Sequence, residues 1–222
     1  MSESQYVLEA RELTKTFPGV KALDKVTLKV RPGTVHALMG ENGAGKSTLM
    51  KCIYGIYKPD GGEVYINGEK SAIANPKDAM DKGISMIHQE LHPIRPQTAS
   101  ENIFLGRIPY KKSFAIKWVD YKRLNSEAKE LFDKLEIDIN PKTKVQELST
   151  AYCQLIEIAR AVSFGAKIII MDEPTSSLTE SETEILFRII NQLKADNVAI
   201  IYISHKIDEI LQISDEVTVM RD

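Results

Sequence analysis

One nine-residue stretch constrains this chain more than any other: Gly40-Glu41-Asn42-Gly43-Ala44-Gly45-Lys46-Ser47-Thr48. It satisfies G-x-x-x-x-G-K-[ST], the pattern of a loop whose backbone N–H groups surround phosphate oxygens. Such a loop requires a strand before it and a helix after it. Val35-His36-Ala37-Leu38-Met39 reads as the buried strand, and Ser47 to Tyr54 as the opening of the helix. The glycines let the loop curl, and the helix N-terminus adds unpaired N–H groups and a partial positive charge. In this pattern Lys46 reaches the β- and γ-phosphates and the Ser47 hydroxyl takes a place on Mg²⁺. The plainer alternative is a glycine-rich turn that happens to precede a lysine. Average residue frequencies allow such a match by chance in on the order of one chain in a hundred of this length. Binding of a nucleoside triphosphate is therefore the expectation.

The 222 residues suit one large domain, or one domain with an inserted lobe. A net charge of −2 gives no electrostatic footprint for nucleic acid, so none is expected as a partner. Cys52 and Cys153 offer neither a disulfide framework nor metal-ligand spacing, which suits a reducing, cytosolic setting. Met1-Ser2-Glu3-Ser4-Gln5 is polar and acidic, unlike a signal peptide. The longest apolar runs fall far short of the ~20 residues that span a bilayer. If the protein serves a membrane process, another chain must supply the membrane part.

Along the chain, residues 6–13 and 23–30 read as strands around the turn Phe17-Pro18-Gly19. Asp60-Gly61-Gly62 leads into Val64-Tyr65-Ile66, and Asn67-Gly68 then predicts a hairpin. Ile84-Ser85-Met86-Ile87 reads as a short strand running into His88-Gln89-Glu90. From residue 90 to 165 little reads as strand. Helices are expected from Ser100, over Lys122 to Leu135 and over Leu148 to Val162, and Pro109-Tyr110-Lys111-Lys112 reads as a solvated loop. The organisation predicted is an α/β core of residues 1–89 and 166–222 with a helical lobe, 90–165, inserted into it. Ile168 to Met171 and Val198 to Ile203 are continuous apolar runs, the mark of strands in a parallel sheet covered on both faces. A helix is expected between them, from Glu182 to Ala195, and Val217 to Met220 reads as a last strand close to the chain end, as in a fragment.

Asp172 and Glu173 end the first of those runs, where open α/β sheets bind ligands. In a P-loop protein an acid there holds Mg²⁺, directly or through water, which is the role expected of Asp172. Glu173 is then placed to accept a proton from the attacking water or to orient it. Without the P-loop, a pair of carboxylates capping the next turn would explain them equally well. His205 ends the second run, where it could contact the γ-phosphate or the attacking water. His36, His88 and His92 read as structural or solvated. Gln89 stands where strand gives way to the helical lobe and could bridge metal and lobe, although a strand-end glutamine needs no function.

Taken together these residues resemble the nucleotide-binding subunits of ATP-binding cassette transporters, and the resemblance covers essentially the whole chain. Its markers occur in family order: Gly40 to Thr48 as Walker A, Gln89 as the Q-loop glutamine and Leu148-Ser149 opening the signature. Ile168 to Glu173 match Walker B with the catalytic glutamate, Ser176 to Thr179 the D-loop, and His205 the switch histidine. The resemblance implies a P-loop ATPase core with an antiparallel β subdomain and an inserted helical subdomain. It implies nucleotide contacts from Phe17, Gly40, Asn42, Gly43, Ala44, Gly45, Lys46, Ser47, Thr48 and Ser149. Phe17 stands where the family stacks an aromatic ring on adenine. Ser47, Gln89 and Asp172 are the implied Mg²⁺ residues, and Glu173, His205 and Gln89 the catalytic set.

The wording MDEPTSSLTE, IEIARA, HQE and YISHK is similar to the ATPases of simple-sugar importers for ribose, galactose, xylose and arabinose. Those chains usually carry two such halves, of which this resembles the first. The resemblance thus implies a transmembrane permease, a second nucleotide-binding domain and, indirectly, a periplasmic sugar-binding protein. It also implies a peripheral position on the cytoplasmic face of a bacterial membrane. The sequence departs from the family at the signature, Leu148-Ser149-Thr150-Ala151-Tyr152-Cys153-Gln154 in place of Leu-Ser-Gly-Gly-Gln. Two other readings stay open: a cassette ATPase outside transport, and a module that binds ATP but barely hydrolyses it.

Overall fold

The computed structural model describes residues 5–113 and 116–221. The segment 1–4, part of the polar stretch that is unlike a signal peptide, lies outside them. The chain divides into two compact units, one of residues 1–89, 166–176 and 190–222, the other of 90–165 and 177–189. The second unit thus takes in 177–189, a stretch the sequence reading leaves with the core. Leu178, Ile185 and Leu186 line a small recess with Ala151 and Leu155, so this apolar stripe has its partners there.

The first unit holds two sheets. Strands β1 (Leu8–Phe17), β2 (Val20–Val30), β4 (Gly61–Ile66) and β5 (Glu69–Lys70) form an antiparallel sheet in the order β2-β1-β4-β5. Strand β1 runs to Phe17, so that residue closes a strand, and the turn is confined to Pro18-Gly19. Strands β3 (Val35–Gly40), β6 (Ile84–Ile87), β9 (Ile168–Asp172), β10 (Ala199–Ile203) and β11 (Glu216–Met220) form a parallel sheet in the order β11-β3-β10-β9-β6. Every residue from Ile168 to Met171 and from Ala199 to Ile203 is fully buried, as continuous apolar runs require. Helix α1 (Lys46–Ile53) contributes Leu49, Met50 and Ile53 to one core. Leu8, Leu13 and Leu28 reach that core from the antiparallel sheet, and Ile168, Ile170, Ile201 and Ile203 from the parallel one. Burying each such side chain contributes about 1.5–3 kcal/mol, so the helix that follows the P-loop is fixed by packing. Helices α2 (Pro76–Asp81) and α7 (Ile207–Ile213), which the periodicity does not reveal, also belong to this unit. They are too short to repeat an apolar stripe.

The second unit contains α3 (Ala99–Ile103), α4 (Tyr121–Lys134), α5 (Thr150–Ser163) and the first part of α6 (Glu180–Ala195). On α4, Leu124, Ala128 and Phe132 are fully buried at helical spacing, and Asp120 caps the helix by accepting from the Arg123 amide. Helix α3 starts one residue before Ser100, because Thr98 and Glu101 form a capping box there. Two strands also occur in this unit, β7 (Tyr110–Ser113) and β8 (Ile116–Val119), paired antiparallel with Tyr110 opposite Val119 and Lys111 opposite Trp118. Tyr110-Lys111-Lys112 is therefore strand and not loop. Aromatic and β-branched residues on both sides suit a ladder, and the lysines masked that signal. No described helix is long and apolar enough to cross a membrane.

Candidate functional site

The P-loop is built by glycine where no other residue fits. Gly45, the residue before α1, has φ +89°, and a Cβ there would stand 2.4 Å from the Ala22 carbonyl oxygen of β2. Gly43 has φ +98°, and a Cβ there would meet nothing within 4 Å, so that side of the loop faces open space. Lys46 is buried, and its Nζ donates to the carbonyl oxygens of Gly40 at 2.7 Å and Glu41 at 2.9 Å. These are neutral acceptors inside the loop. An anionic phosphate is the stronger partner for the same ammonium.

The parallel register brings the chemistry to one edge. Ile203 of β10 lies beside Asp172 of β9, and Leu38 of β3 lies beside Ile203. The residues that follow these strands, Glu41, Glu173 and His205, therefore emerge together. With Gly40, Asn42 and Gln89 they line a cavity of about 440 Å³. Gln89 Nε2 donates to Glu173 Oε2 at 3.1 Å, and His205 Nδ1 lies 3.0 Å from Glu173 Oε1. Both oxygens of one carboxylate are thus held by groups that arrive from two other strands. The Glu173 backbone is in the left-handed region, φ +45°, and its amide donates to the Ile203 carbonyl at 2.9 Å. Such a conformation costs a non-glycine residue of order 1–3 kcal/mol and persists where surrounding structure imposes it, often at functional sites. Nothing in the sequence signals it.

Ser47 Oγ and Asp172 Oδ2 lie 3.5 Å apart. Burial, and then the charge of Glu173, raise the Asp172 pKa, while the Ser47 contact opposes them. A carboxylate in that position gains from a nearby cation. Among the described residues no group of three His, Cys, Asp or Glu side chains could enclose a metal ion. Mg²⁺ needs none: it is commonly held through one or two protein oxygens, water and substrate phosphates. Ser47 and Asp172 fit that donor set.

Phe17 is half-buried and meets Tyr57 edge-on, with ring centroids 5.3 Å apart and planes at 74°; Lys15 Nζ lies 5.5 Å from its centroid. His36 is buried in β3 with Nε2 2.7 Å from Thr218 Oγ1, and burial lowers its pKa against the charge of Glu216. It is a structural histidine. His88 packs edge-on against Tyr54. Ser149 belongs to the second unit. It caps α5, where its Oγ accepts from the Tyr152 amide at 3.5 Å and donates to Glu182 Oε1 at 3.4 Å.

Comparison with known proteins gives three findings. The family model described as ABC transporter matches residues 23–176. The galactose/methyl galactoside import ATP-binding protein MglA of Clostridium tetani is 58% identical over the whole chain, which spans 44% of that protein. Its counterpart in Clostridium perfringens is 56% identical, and the chain spans 42% of it. The chain therefore spans less than half the length of these curated relatives. Among solved structures, an ATP-binding cassette of an ABC transporter in its ADP conformation superposes with a TM-score of 0.85 at 30% identity, covering 98% of this chain and 88% of that one.

Proposed function

The chain belongs to the ABC transporter family, and from that premise we propose that it binds and hydrolyses ATP to power sugar import by a bacterial transporter. One observation carries this reading: the P-loop, Gln89, Glu173 and His205 converge on a single cavity, with Glu173 gripped at both oxygens. Nucleotide binding rests on the P-loop amides, the α1 N-terminus and the Lys46 ammonium, which together answer the charge of a triphosphate. The Phe17 face offers a flat surface to the base. Glu173 orients the water, or takes its proton, as that water attacks the γ-phosphorus; the bond to the β-phosphate oxygen breaks, leaving ADP and phosphate. Gln89 and His205 fix the direction of the Glu173 carboxylate, which keeps the water in line. Ser47 and Asp172, with Gln89, are the residues that would hold Mg²⁺, which when bound would offset the negative charge of the phosphates.

The relatives' names supply the transported class, a galactose-type sugar. A nucleotide-binding domain cannot move sugar by itself, so the reading includes a transmembrane permease, a second nucleotide-binding domain and, through the permease, a periplasmic sugar-binding protein. The chain would then sit on the cytoplasmic face of the membrane. The test has two arms. Phosphate release from Mg-ATP is measured for the protein and for Lys46→Ala and Glu173→Gln. Uptake of labelled galactose is measured in cells whose full-length protein carries the same changes. Release that is insensitive to both substitutions overturns the ATPase reading; sensitive release with unaffected uptake overturns the transport reading alone.

A further inference from the structure

Two residues after Glu173 stands Thr175, and on either side of His205 stand Ser204 and Lys206. All three turn to one carboxylate, Glu209, in the first turn of α7. Thr175 Oγ1 lies 2.7 Å from each Glu209 oxygen. Tyr202 Oη donates to Oε2 at 2.9 Å, and Ser204 Oγ to the same atom at 3.2 Å. Lys206 Nζ pairs with Oε1 at 2.9 Å and donates to the Thr175 carbonyl at 3.3 Å. Glu209 is 9% exposed, Thr175 2%, Ser204 3% and Tyr202 0%. Burial works to raise the Glu209 pKa, but hydrogen bonds from Lys206, Thr175 and Tyr202 outweigh it and hold the carboxyl below its usual range. The group is therefore ionised and saturated with donors.

A buried charge is a poor device for stability, since apolar side chains of similar volume commonly do as well. What a carboxylate with converging donors supplies is fixed geometry. Beyond the bond from the Glu173 amide to the Ile203 carbonyl, the geometry here depends on segments that have left their strands. Glu173 holds a left-handed backbone at the end of β9, and His205 follows the end of β10 on a side chain that is 60% exposed. The 3.0 Å contact between them depends on where the segments 173–175 and 204–206 lie. We infer that Glu209 is a positioning residue for ATP hydrolysis, clamping these two segments together so that Glu173 and His205 stay aligned. It is not among the residues lining the cavity, so it acts through Thr175 and Ser204.

This inference rests on the ATPase reading, and the experiment separates the two. Phosphate release, ATP affinity and thermal midpoint are measured in the full-length protein that carries this chain, with Glu173→Gln setting the activity that does not come from this site. Glu209→Gln and Thr175→Val each lower kcat about tenfold or more while ATP affinity stays within about threefold. Thr175→Ser, which keeps the hydroxyl, restores kcat to within about twofold. The double variant Glu209→Gln/Thr175→Val is no slower than the slower single, because both break one clamp. The inference is overturned if kcat survives in both single variants. It is equally overturned if affinity, kcat and Tm fall together, or if the losses in the double variant multiply. Should Glu209→Gln fail to fold, the contrast between Thr175→Val and Thr175→Ser decides alone. If Glu173→Gln itself leaves phosphate release unchanged, the ATPase reading fails first and takes the clamp with it.

Discussion

At the carboxyl edge of the parallel sheet, Glu173 is bonded to Gln89 and His205, residues 84 and 32 positions away in the chain. At the start of α5, Ser149 is bonded to Tyr152, three positions on, and to Glu182. Both regions carry the residues that the family resemblance links to nucleotide. In the first, strand register sets the positions, and both carboxylate oxygens of Glu173 meet other groups of the same cluster. In the second, a helix cap accepts from the Tyr152 amide of its own turn, and the Glu182 carboxylate, 33 positions on, already occupies the serine hydroxyl. The first region is a candidate site assembled by tertiary structure. The second is a helix end whose serine is engaged by one amide of its own turn and by a carboxylate of α6, both within its own unit.

The sharpest way to break this comparison is to disarm the first region without dismantling it. Glu173→Gln keeps the size of the side chain and one acceptor oxygen. Removing a positioned base costs about 10²–10⁴-fold in rate, so phosphate release should fall by at least the lower figure. ATP affinity should stay within about threefold, as read by titration with a fluorescent analogue. A variant that hydrolyses at the wild-type rate would mean that the cluster is not catalytic. Lys46→Ala should act on binding instead. It removes an ammonium whose charge-assisted contact contributes about 1.5–3 kcal/mol, a loss of roughly tenfold to a hundredfold in affinity. Unchanged titration curves would show that this loop is not where nucleotide binds.

The two regions also differ in how far the sequence exposes them. Gly40 to Thr48, the apolar run Ile168 to Met171 and the run ending at Ile203 announce a loop and two strand ends, because a buried parallel strand must be apolar throughout. That the residues after those strands meet is a matter of register, set between strands far apart in the chain. The left-handed Glu173 backbone has no sequence signal, since glutamate does not mark φ above zero as glycine does. The Glu209 clamp is equally silent: α7 has seven residues, too few to show periodicity, and its carboxylate reads like any acid in a first turn. In the second unit the helices α4 and α5 follow from their stripes, whereas β7 and β8 hide behind lysines. The start of α3 is legible in the spacing of Thr98 and Glu101, the signature of a capping box.

A smaller effect tests the edge of the first region. Phe17 closes β1 beside Tyr57, a T-shaped pair that leaves the ring half-buried. If its face receives the base, Phe17→Ala should weaken ATP by about 0.5–1.5 kcal/mol and leave inorganic triphosphate unaffected, because only the base can stack. Calorimetric titration of both ligands separates the outcomes. Equal losses would remove Phe17 from the site and shrink the first region to its phosphate end.

The smallest expected effect is none at all, and it bears on the second region. The resemblance implies a signature that closes on nucleotide held by a partner's P-loop, so a self-sandwich of this chain would use Leu148 to Gln154 twice. Ala151 adds a methyl group where the family has glycine and is already 8% exposed, packed within its own unit. Tyr152 is 36% exposed and adds bulk beside it. Ser149 Oγ meets Glu182, whose carboxyl the Thr179 amide and hydroxyl hold below its usual pKa range and hence charged. An arriving phosphate would meet that negative charge at the helix end, where the dipole alone would favour it. Each lost or strained hydrogen bond to a charged group costs roughly 1.5–3 kcal/mol, and twofold symmetry applies the loss twice. We therefore expect the Glu173→Gln variant of this chain, saturated with Mg-ATP, to sediment as a monomer at every concentration tested, with no shift on adding nucleotide. A stable ATP-dependent dimer would show that Thr150-Ala151-Tyr152 works as a signature. The contrast between an assembled site and an engaged helix cap would then be wrong.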